Sequence, residues 1–154
     1  IRIAQKVEEA IDTTRLTARG LYPVTLEKSG LISALREMAI TVENSYGTKC
    51  RVYNQGNDTA PDVHTSYQLY YIVQEAINNA IRHGRAKKID IDIVIKKKLI
   101  RFAVVNDITV KNRKKKSDGM GLRIMAYRAE MIGGTFSVKS TKKTFRVEVE
   151  IKYQ

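Results

Sequence analysis

Two segments alternate apolar and charged residues with a period of two, and they leave little freedom about what this chain becomes. In KKIDIDIVIK, Lys87 to Lys96, the side chains of Ile89, Ile91, Ile93 and Ile95 fall on one side and mostly charged residues on the other. In TFRVEVEIKY, Phe145, Val147, Val149 and Ile151 oppose Arg146, Glu148, Glu150 and Lys152. Successive side chains of a strand point to opposite faces, so each run is a strand with one buried and one wet face. Sheets of that kind are antiparallel or mixed and take their cover from helices on one side. The expected fold is α+β: a two-layer α/β sandwich with a mixed, mostly antiparallel sheet and helices on one face.

The helices show a 3.6-residue period. From about Ser29 to Asn44, Leu31, Ala34, Leu35, Met38 and Val42 share a face, and Gly47 is the stop. The longest helix is expected from His64 to His83, with Leu69, Val73, Ala76, Ile77 and Ala80 as its core stripe. A third places Leu122, Met125, Ala126, Ala129 and Ile132 in register before Gly133 and Gly134. CRVYNQG, Cys50 to Gly56, reads as a short strand, and LIRFAVVN pairs with its neighbour through a turn at Lys97 and Lys98. Ahead of these, Ile3, Val7, Ala10, Thr14, Thr17 and Leu21 recur at steps of four and three, a coiled-coil seam. Weakened by Ala and Thr, that seam calls for a partner helix. Gly20 and Pro23 then interrupt it, so residues 1–22 are expected to stand apart from a domain over 23–154.

Charge is placed unevenly. The net charge is +12, yet 13 basic and 3 acidic residues lie between Arg82 and Lys116, a net of +10. The densest part, KNRKKK from Lys111 to Lys116, has the residue types that release counterions from phosphates, but no aromatics interleave to stack on bases. A solvated basic loop is the simpler reading, and nucleic acid is not an expected partner. No run approaches the roughly 20 apolar residues of a membrane span. With Ile1 in place of Met, the chain is expected to be part of something larger. A single cysteine, Cys50, excludes an intrachain disulfide scaffold and a zinc module, and a reducing cytoplasm is the expected setting.

Two elements carry chemistry. In QEAINNAIRHG, Gln74 to Gly84, Glu75, Asn79 and Arg82 fall within about 60° of one another, roughly opposite the core stripe. A carboxylate one turn before a carboxamide can address a hydrated cation and its water, although the same residues also make an ordinary solvated face. In SDGMGLRIMAYRAEMIGG, Ser117 to Gly134, Gly119 and Gly121 stand at the mouth of a helix, where backbone amides and the helix dipole favour an anion. A cation-directed and an anion-directed element on either side of a hairpin and a basic loop suggest a nucleoside triphosphate with magnesium.

On these residues the chain resembles the ATP-binding domain of bacterial two-component sensor histidine kinases, of the compact NarL/DesK-like type with a Bergerat (GHKL) fold. Four segments carry the resemblance: ARGLYPVTLEKSGLISALREMA, YQLYYIVQEAINNAIRHGRAKKIDI, the FAVVND strand end and DGMGLRIMAYRAEMIGG. It implies ATP and Mg2+ as ligands, Asn79 as the magnesium ligand, and Glu75 as the residue that orients or activates an attacking imidazole. It also implies Arg82 and His83 near the phosphates, Gly119, Gly121 and Leu122 along the lid side, and Asn106 with Thr144 at the adenine. Residues 1–22 would be the end of the second dimerisation helix. The implied partners are a second copy of the protein and the receiver domain of a response regulator, with no nucleic acid and no membrane contact by this segment. The only histidines, His64 and His83, lie outside the family's phosphoacceptor context, so the phosphoryl group would go to a histidine outside this sequence.

Departures from the family pattern matter as much. Where an aspartate and a glycine pair are usual, the run is Asn106, Asp107, Ile108, Thr109, Val110. A β-branched residue at positive φ would cost about 1–2 kcal/mol, so this loop is expected to take another path. Asn106 is a neutral acceptor, giving about 1 kcal/mol where a charged one gives about 1.5–3, which implies nucleotide affinity about tenfold weaker. A register shift making Asp107 the adenine partner is the alternative. The second functional reading is a degenerate kinase-like module for dimerisation or signalling with little ATP binding. On the first reading KNRKKK is a lid that attracts a polyanion.

Overall fold

The structure, a computed structural model, describes residues 2–20, 23–56, 60–109 and 119–154. Val110 and the KNRKKK run lie outside the described residues. The elements run α1 (Arg2–Gly20), α2 (Val24–Ser29), α3 (Leu31–Tyr46), β1 (Lys49–Gly56), α4 (Val63–Arg82), β2 (Lys88–Lys96), β3 (Leu99–Asp107), α5 (Met120–Met131), β4 (Thr135–Ser140) and β5 (Thr144–Lys152).

The strands form one sheet in the order β1-β2-β3-β5-β4. β1 pairs parallel with β2 and every other pairing is antiparallel, the mixed, mostly antiparallel sheet that the alternation led us to expect. The register puts Ile91 opposite Val104 and Val104 opposite Val147, so the apolar sets of three strands coincide on one face. Ile89, Ile91, Ile93, Phe102 and Val149 are buried there with Leu35 and Val42 of α3 and Leu69, Val73 and Ile77 of α4. The other face is charged and carries the pairs Lys88–Asp90, Arg146–Glu148 and Lys152–Glu150. Ala103 is nonetheless buried on it, directly between Asp92 and Glu148.

The expected helix from Ser29 to Asn44 is corrected at its start. Gly30 has φ 85° and ψ 176°, a backbone that glycine alone adopts cheaply, and it separates α2 from α3 while serving as the boundary residue of both. Six-residue α2 was not expected from periodicity at all; Pro23 precedes it, and Thr25 donates its hydroxyl hydrogen bond to Glu37 on α3. α3 ends where expected, at Gly47 in the left-handed conformation.

α4 starts on a side-chain cap. Asp62 accepts hydrogen bonds from Thr65 N at 2.9 Å and Thr65 Oγ1 at 2.7 Å, which holds its carboxyl below the ordinary 3.8. Asp62→Ala should cost about 1 kcal/mol at neutral pH, a melting-temperature drop of roughly 2–4 °C. The bonds favour the charged form, so this stability is present above the ordinary value and is lost as pH falls below it through the lower folded value; wild type and variant should melt together only in stronger acid than that. Thermal unfolding at both pH values checks it.

Cys50, on the core face of β1, is buried, and burial, with Glu43 and Asp90 adding to it, pushes its thiol up to about 12. Iodoacetamide at about pH 8 should leave the native chain unmodified while labelling the unfolded chain fully. Mass spectrometry distinguishes the two.

Candidate functional site

α4 is covered on two sides. Its stripe of Leu69, Val73, Ala76, Ile77 and Ala80 is buried in the core, as expected. A second line, Gln68, Tyr71, Glu75 and Asn79, follows the helical steps of three and four and is half-buried. Arg128 of α5 donates from Nη1 to Gln68 Oε1 at 2.8 Å and holds its guanidinium 4.8 Å above the Tyr71 ring. One turn further along α4 the contact with α5 is a glycine. A methyl group built on Gly121 would overlap Glu75 Oε1 and lie 3.2 Å from Asn79 Nδ2. Glu75 and Asn79 are therefore not on a solvated face; the start of α5 closes over them because Gly121 has no side chain.

The electrostatics follow from this closure. Burial lifts the Glu75 carboxyl above its ordinary range, and the positive charges of Arg82 and Arg128 oppose the rise in part. Gly119 is the N-cap of α5, with φ −64° and ψ 149°, and no side chain caps the helix. The positive end of the helix dipole and the first-turn amides thus open beside Glu75 and Asn79. Gly119 is exposed with open space around it, whereas Leu122 is half-buried against the core.

A second cluster forms where α4 ends. Arg82 and His83 are exposed there, and His83 is the C-terminal boundary residue. Gly84 is buried against the carbonyl of Ala80, and a methyl group on it would lie 3.1 Å from Asn106 Nδ2. Asn106 is itself buried at the end of β3, and its Nδ2 donates to the carbonyl of Asp107 at 2.8 Å, which leaves the carboxamide oxygen at the opposite end. Asp107 is occupied differently: its Oδ1 accepts from Lys87 N and Lys88 N, both at 2.9 Å, and so caps the start of β2.

Only the start of the loop after β3, Ile108 and Thr109, lies among the described residues. Among the described residues Arg85, at φ 45°, is the one non-glycine with positive φ, so Ile108 and Thr109 avoid the strained region. Ile108 N donates to Lys143 O at 2.8 Å, and Thr109 Oγ1 donates to Gly84 O and Arg85 O at 3.2 and 2.8 Å. These bonds tie β3 to the end of α4 and to the β4–β5 turn. Thr144 lies opposite Asp107 in the sheet, with its hydroxyl 3.0 Å from that of Thr141 in the turn.

Glu75, Asn79 and Gly121 are thus brought together, and Asn106 is set beside Gly84 on the same helix. Sequence reasoning missed Gln68, Tyr71, Arg128 and Gly84. The first two continue the Glu75–Asn79 line backwards at helical spacing, a signal that was available; the packing of Gly84 left none. For a divalent cation the donors are few, since no group of three or more His, Cys, Asp or Glu suited to a metal occurs among the described residues. One carboxamide and one carboxylate fit a hard ion that keeps its waters and leans on a ligand's oxygens.

Residues 64–154 match the family described as histidine kinase-, DNA gyrase B-, and HSP90-like ATPase. The chain belongs to this ATPase family. Membership implies an ATP site, and the matched span holds α5 and almost all of α4, the two helices that meet at Gly121. Relatives of this ATPase-family chain include the sensor histidine kinase LiaS of Bacillus subtilis, 33% identical over 93% of this chain and 40% of the relative. The nitrate/nitrite sensor protein NarQ of Escherichia coli is 33% identical over 75% of this chain and 21% of its own length. The sensor histidine kinase ComP of Bacillus subtilis is 26% identical over 99% and 20%. The chain thus spans at most two-fifths of these relatives. Two solved structures share the fold: the histidine kinase domain of an Erythrobacter litoralis blue-light activated kinase (TM-score 0.62, 18% identity, 79% of this chain and 60% of that one) and the Acinetobacter baumannii histidine kinase AdeS (0.61, 14%, 96% and 82%).

Proposed function

We propose that this chain is the ATP-binding catalytic part of a sensor histidine kinase, passing the γ-phosphoryl group of ATP to a histidine outside this sequence and thence to a response regulator. The observation that carries the reading is the seat of Gly121 on Glu75 and Asn79, which joins a helix N-terminus suited to phosphate with a carboxamide and a carboxylate suited to a hydrated cation. Bound Mg2+ would supply charge neutralisation at the phosphates, with the Asn79 carboxamide oxygen holding it. Glu75 would take or orient the proton of the acceptor imidazole. Its raised proton affinity suits that task, because a base nearer in strength to imidazole transfers protons more evenly. Arg82 and His83 would meet the phosphates, Gly119 and Leu122 would flank them on the α5 side, and Asn106 and Thr144 would address the adenine.

Residues 23–154 would form the catalytic domain and residues 1–22 the end of a dimerisation helix. Supporting the latter, Ile3 and Val7 of α1 are 79% and 50% exposed at seam spacing, with Ala10 and Thr14 exposed beside them. A second copy of the protein is the natural cover for that seam. No described helix is long and apolar enough to cross a membrane.

The second reading, a module with little ATP binding, is favoured by one observation: Ile108, where the family pattern has a glycine, is bonded to the β4–β5 turn, and Thr109 beside it to the end of α4. Calorimetric titration with a non-hydrolysable ATP analogue decides between them. The first reading expects magnesium-dependent binding, weakened about tenfold in Asn79→Ala; no binding at millimolar analogue favours the second.

A further inference from the structure

A cleft of about 750 Å³ opens where α3 passes into β1 and the chain after α4 passes into β2. Lys49, Arg85, Lys87 and Lys88 line it, all of them exposed, over half-buried Tyr46 and Ile81. Among the described residues no carboxylate lines it. Two hydrogen bonds hold the backbone beneath the cations together: Thr48 Oγ1 donates to Ala86 O and Lys49 N to Lys87 O, both at 2.9 Å. None of these residues is among those assigned to ATP.

The cluster carries two unfavourable features that the described fold does not offset. Lys49 stands directly opposite Lys88 in the β1–β2 pairing, and like charges so placed repel. Lys88 has Asp90 as its ion partner at 3.0 Å, but among the described residues Lys49, Arg85 and Lys87 enter no ion pair. Arg85 is also held at φ 45°, where a side chain is strained. Local rules broken in one place without compensation point to a binding surface. The donors decide the kind of anion. The amides of Gly47, Lys49, Ala86, Lys87 and Lys88 already donate to Glu43 O, Lys87 O, Ala80 O and Asp107 Oδ1, so a compact phosphate finds no cradle in them. Tyr46 is the one aromatic among the lining residues, so successive bases find no stacking platform. Cations spread over two strand starts and a loop suit carboxylates spaced along a chain.

We propose that this cleft docks an acidic segment of a partner protein, a short run of Asp and Glu around one apolar side chain. Lys49, Arg85 and Lys87 receive its carboxylates, and Tyr46 and Ile81 receive the apolar side chain.

The probe is a five-residue peptide of two aspartates, two glutamates and a central leucine, blocked at both ends, and the control replaces each carboxylate with its amide. Amide chemical shifts of the whole chain follow the titration. At low salt the acidic peptide should cause shifts centred on Gly47, Thr48 and Ala86 that saturate by about 1 mM, weakening as salt is added, and the amide peptide should cause none there. Lys49→Glu should weaken binding about tenfold and Arg85→Gly about threefold. Neither variant should melt lower than wild type, because the first sets opposite charges across from each other at Lys88 and the second puts glycine at the positive φ. Replacing Lys114, Lys115 and Lys116 with Ser should leave the shifts at Gly47, Thr48 and Ala86 unchanged. Equal shifts with the amide peptide, or undiminished binding in both cleft variants, would overturn the proposal. So would loss of the shifts in the Lys114–Lys116 variant alone, displacement of the peptide by magnesium and ATP analogue, or tighter binding of inorganic triphosphate or a thymidine oligonucleotide at the same amides.

Discussion

Gly121→Ala is expected to leave the fold standing and disable the site. The added methyl group meets first the Glu75 carboxylate end and the Asn79 amide, both tips of side chains that can swing away. Alanine also favours a helix over glycine by about 0.5–1 kcal/mol, which offsets the displacement, so the melting temperature should move by no more than about 4 °C. The site has no such compensation. Glu75 and Asn79 move from the α5 N-terminus by about the radius of a methyl group, and a 1 Å misplacement can cost about 100-fold in a reaction that depends on position. Nucleotide affinity should fall about tenfold and phosphotransfer, measured in the longer protein that supplies the acceptor histidine, about 100-fold. Calorimetry and phosphohistidine formation read these separately from stability. Unchanged affinity and transfer in a variant that melts normally would show that the Gly121 contact is packing alone.

Glu75→Gln should separate catalysis from stability in the other direction. Removal of a general base costs about 10²–10⁴-fold, so phosphotransfer should fall by that much while nucleotide binding changes little. Stability should move the opposite way. Burial makes the folded chain hold the Glu75 proton more tightly than the unfolded chain does, so its contribution is fully present below the ordinary 4.5 and is lost as pH rises through the folded value. Glutamine never ionises. The variant should therefore melt higher than wild type at neutral pH, and the difference should vanish below about pH 4. Scanning calorimetry across that range is the test; a variant that melts lower than wild type at pH 7 would mean that the Arg82 and Arg128 charges, not burial, dominate at this carboxylate.

Much of the fold was legible because it rests on one-sided burial. The isoleucines of β2 and the alternating residues of β5 announce their faces, and the α4 core stripe is complete from Leu69 to Ala80. What periodicity could not show was the second covered face of α4. The partner there is Gly121, which has no side chain and contributes nothing to an apolar pattern, so Glu75 and Asn79 looked like residues opposite the core. The short α2 escaped for a similar reason, since six residues with one buried Leu26 hold less than two turns of pattern. Asp107 shows a third limit: its partners, the amides of Lys87 and Lys88, are 20 and 19 residues away and have no side-chain signature. That carboxylate, on the face the register alternative would have offered to adenine, already serves the sheet.

The sheet order has a consequence for how the chain is made. β5 is the last strand in sequence but sits between β3 and β4, so β3 has a bare inner edge and β4 has no neighbour until β5 exists. During synthesis, α3, α4 and the β1–β2–β3 half can assemble as they leave the ribosome, while β4 waits. Only when the last residues of β5 emerge can the second half of the sheet close, joining residues as far apart as Leu99 and Lys152. Pairings of that sequence separation form slowly and expose an apolar edge meanwhile. For a nascent chain of this topology, the aggregation-prone interval ends with the release of β5, and a pause in translation just before Thr144 would lengthen it.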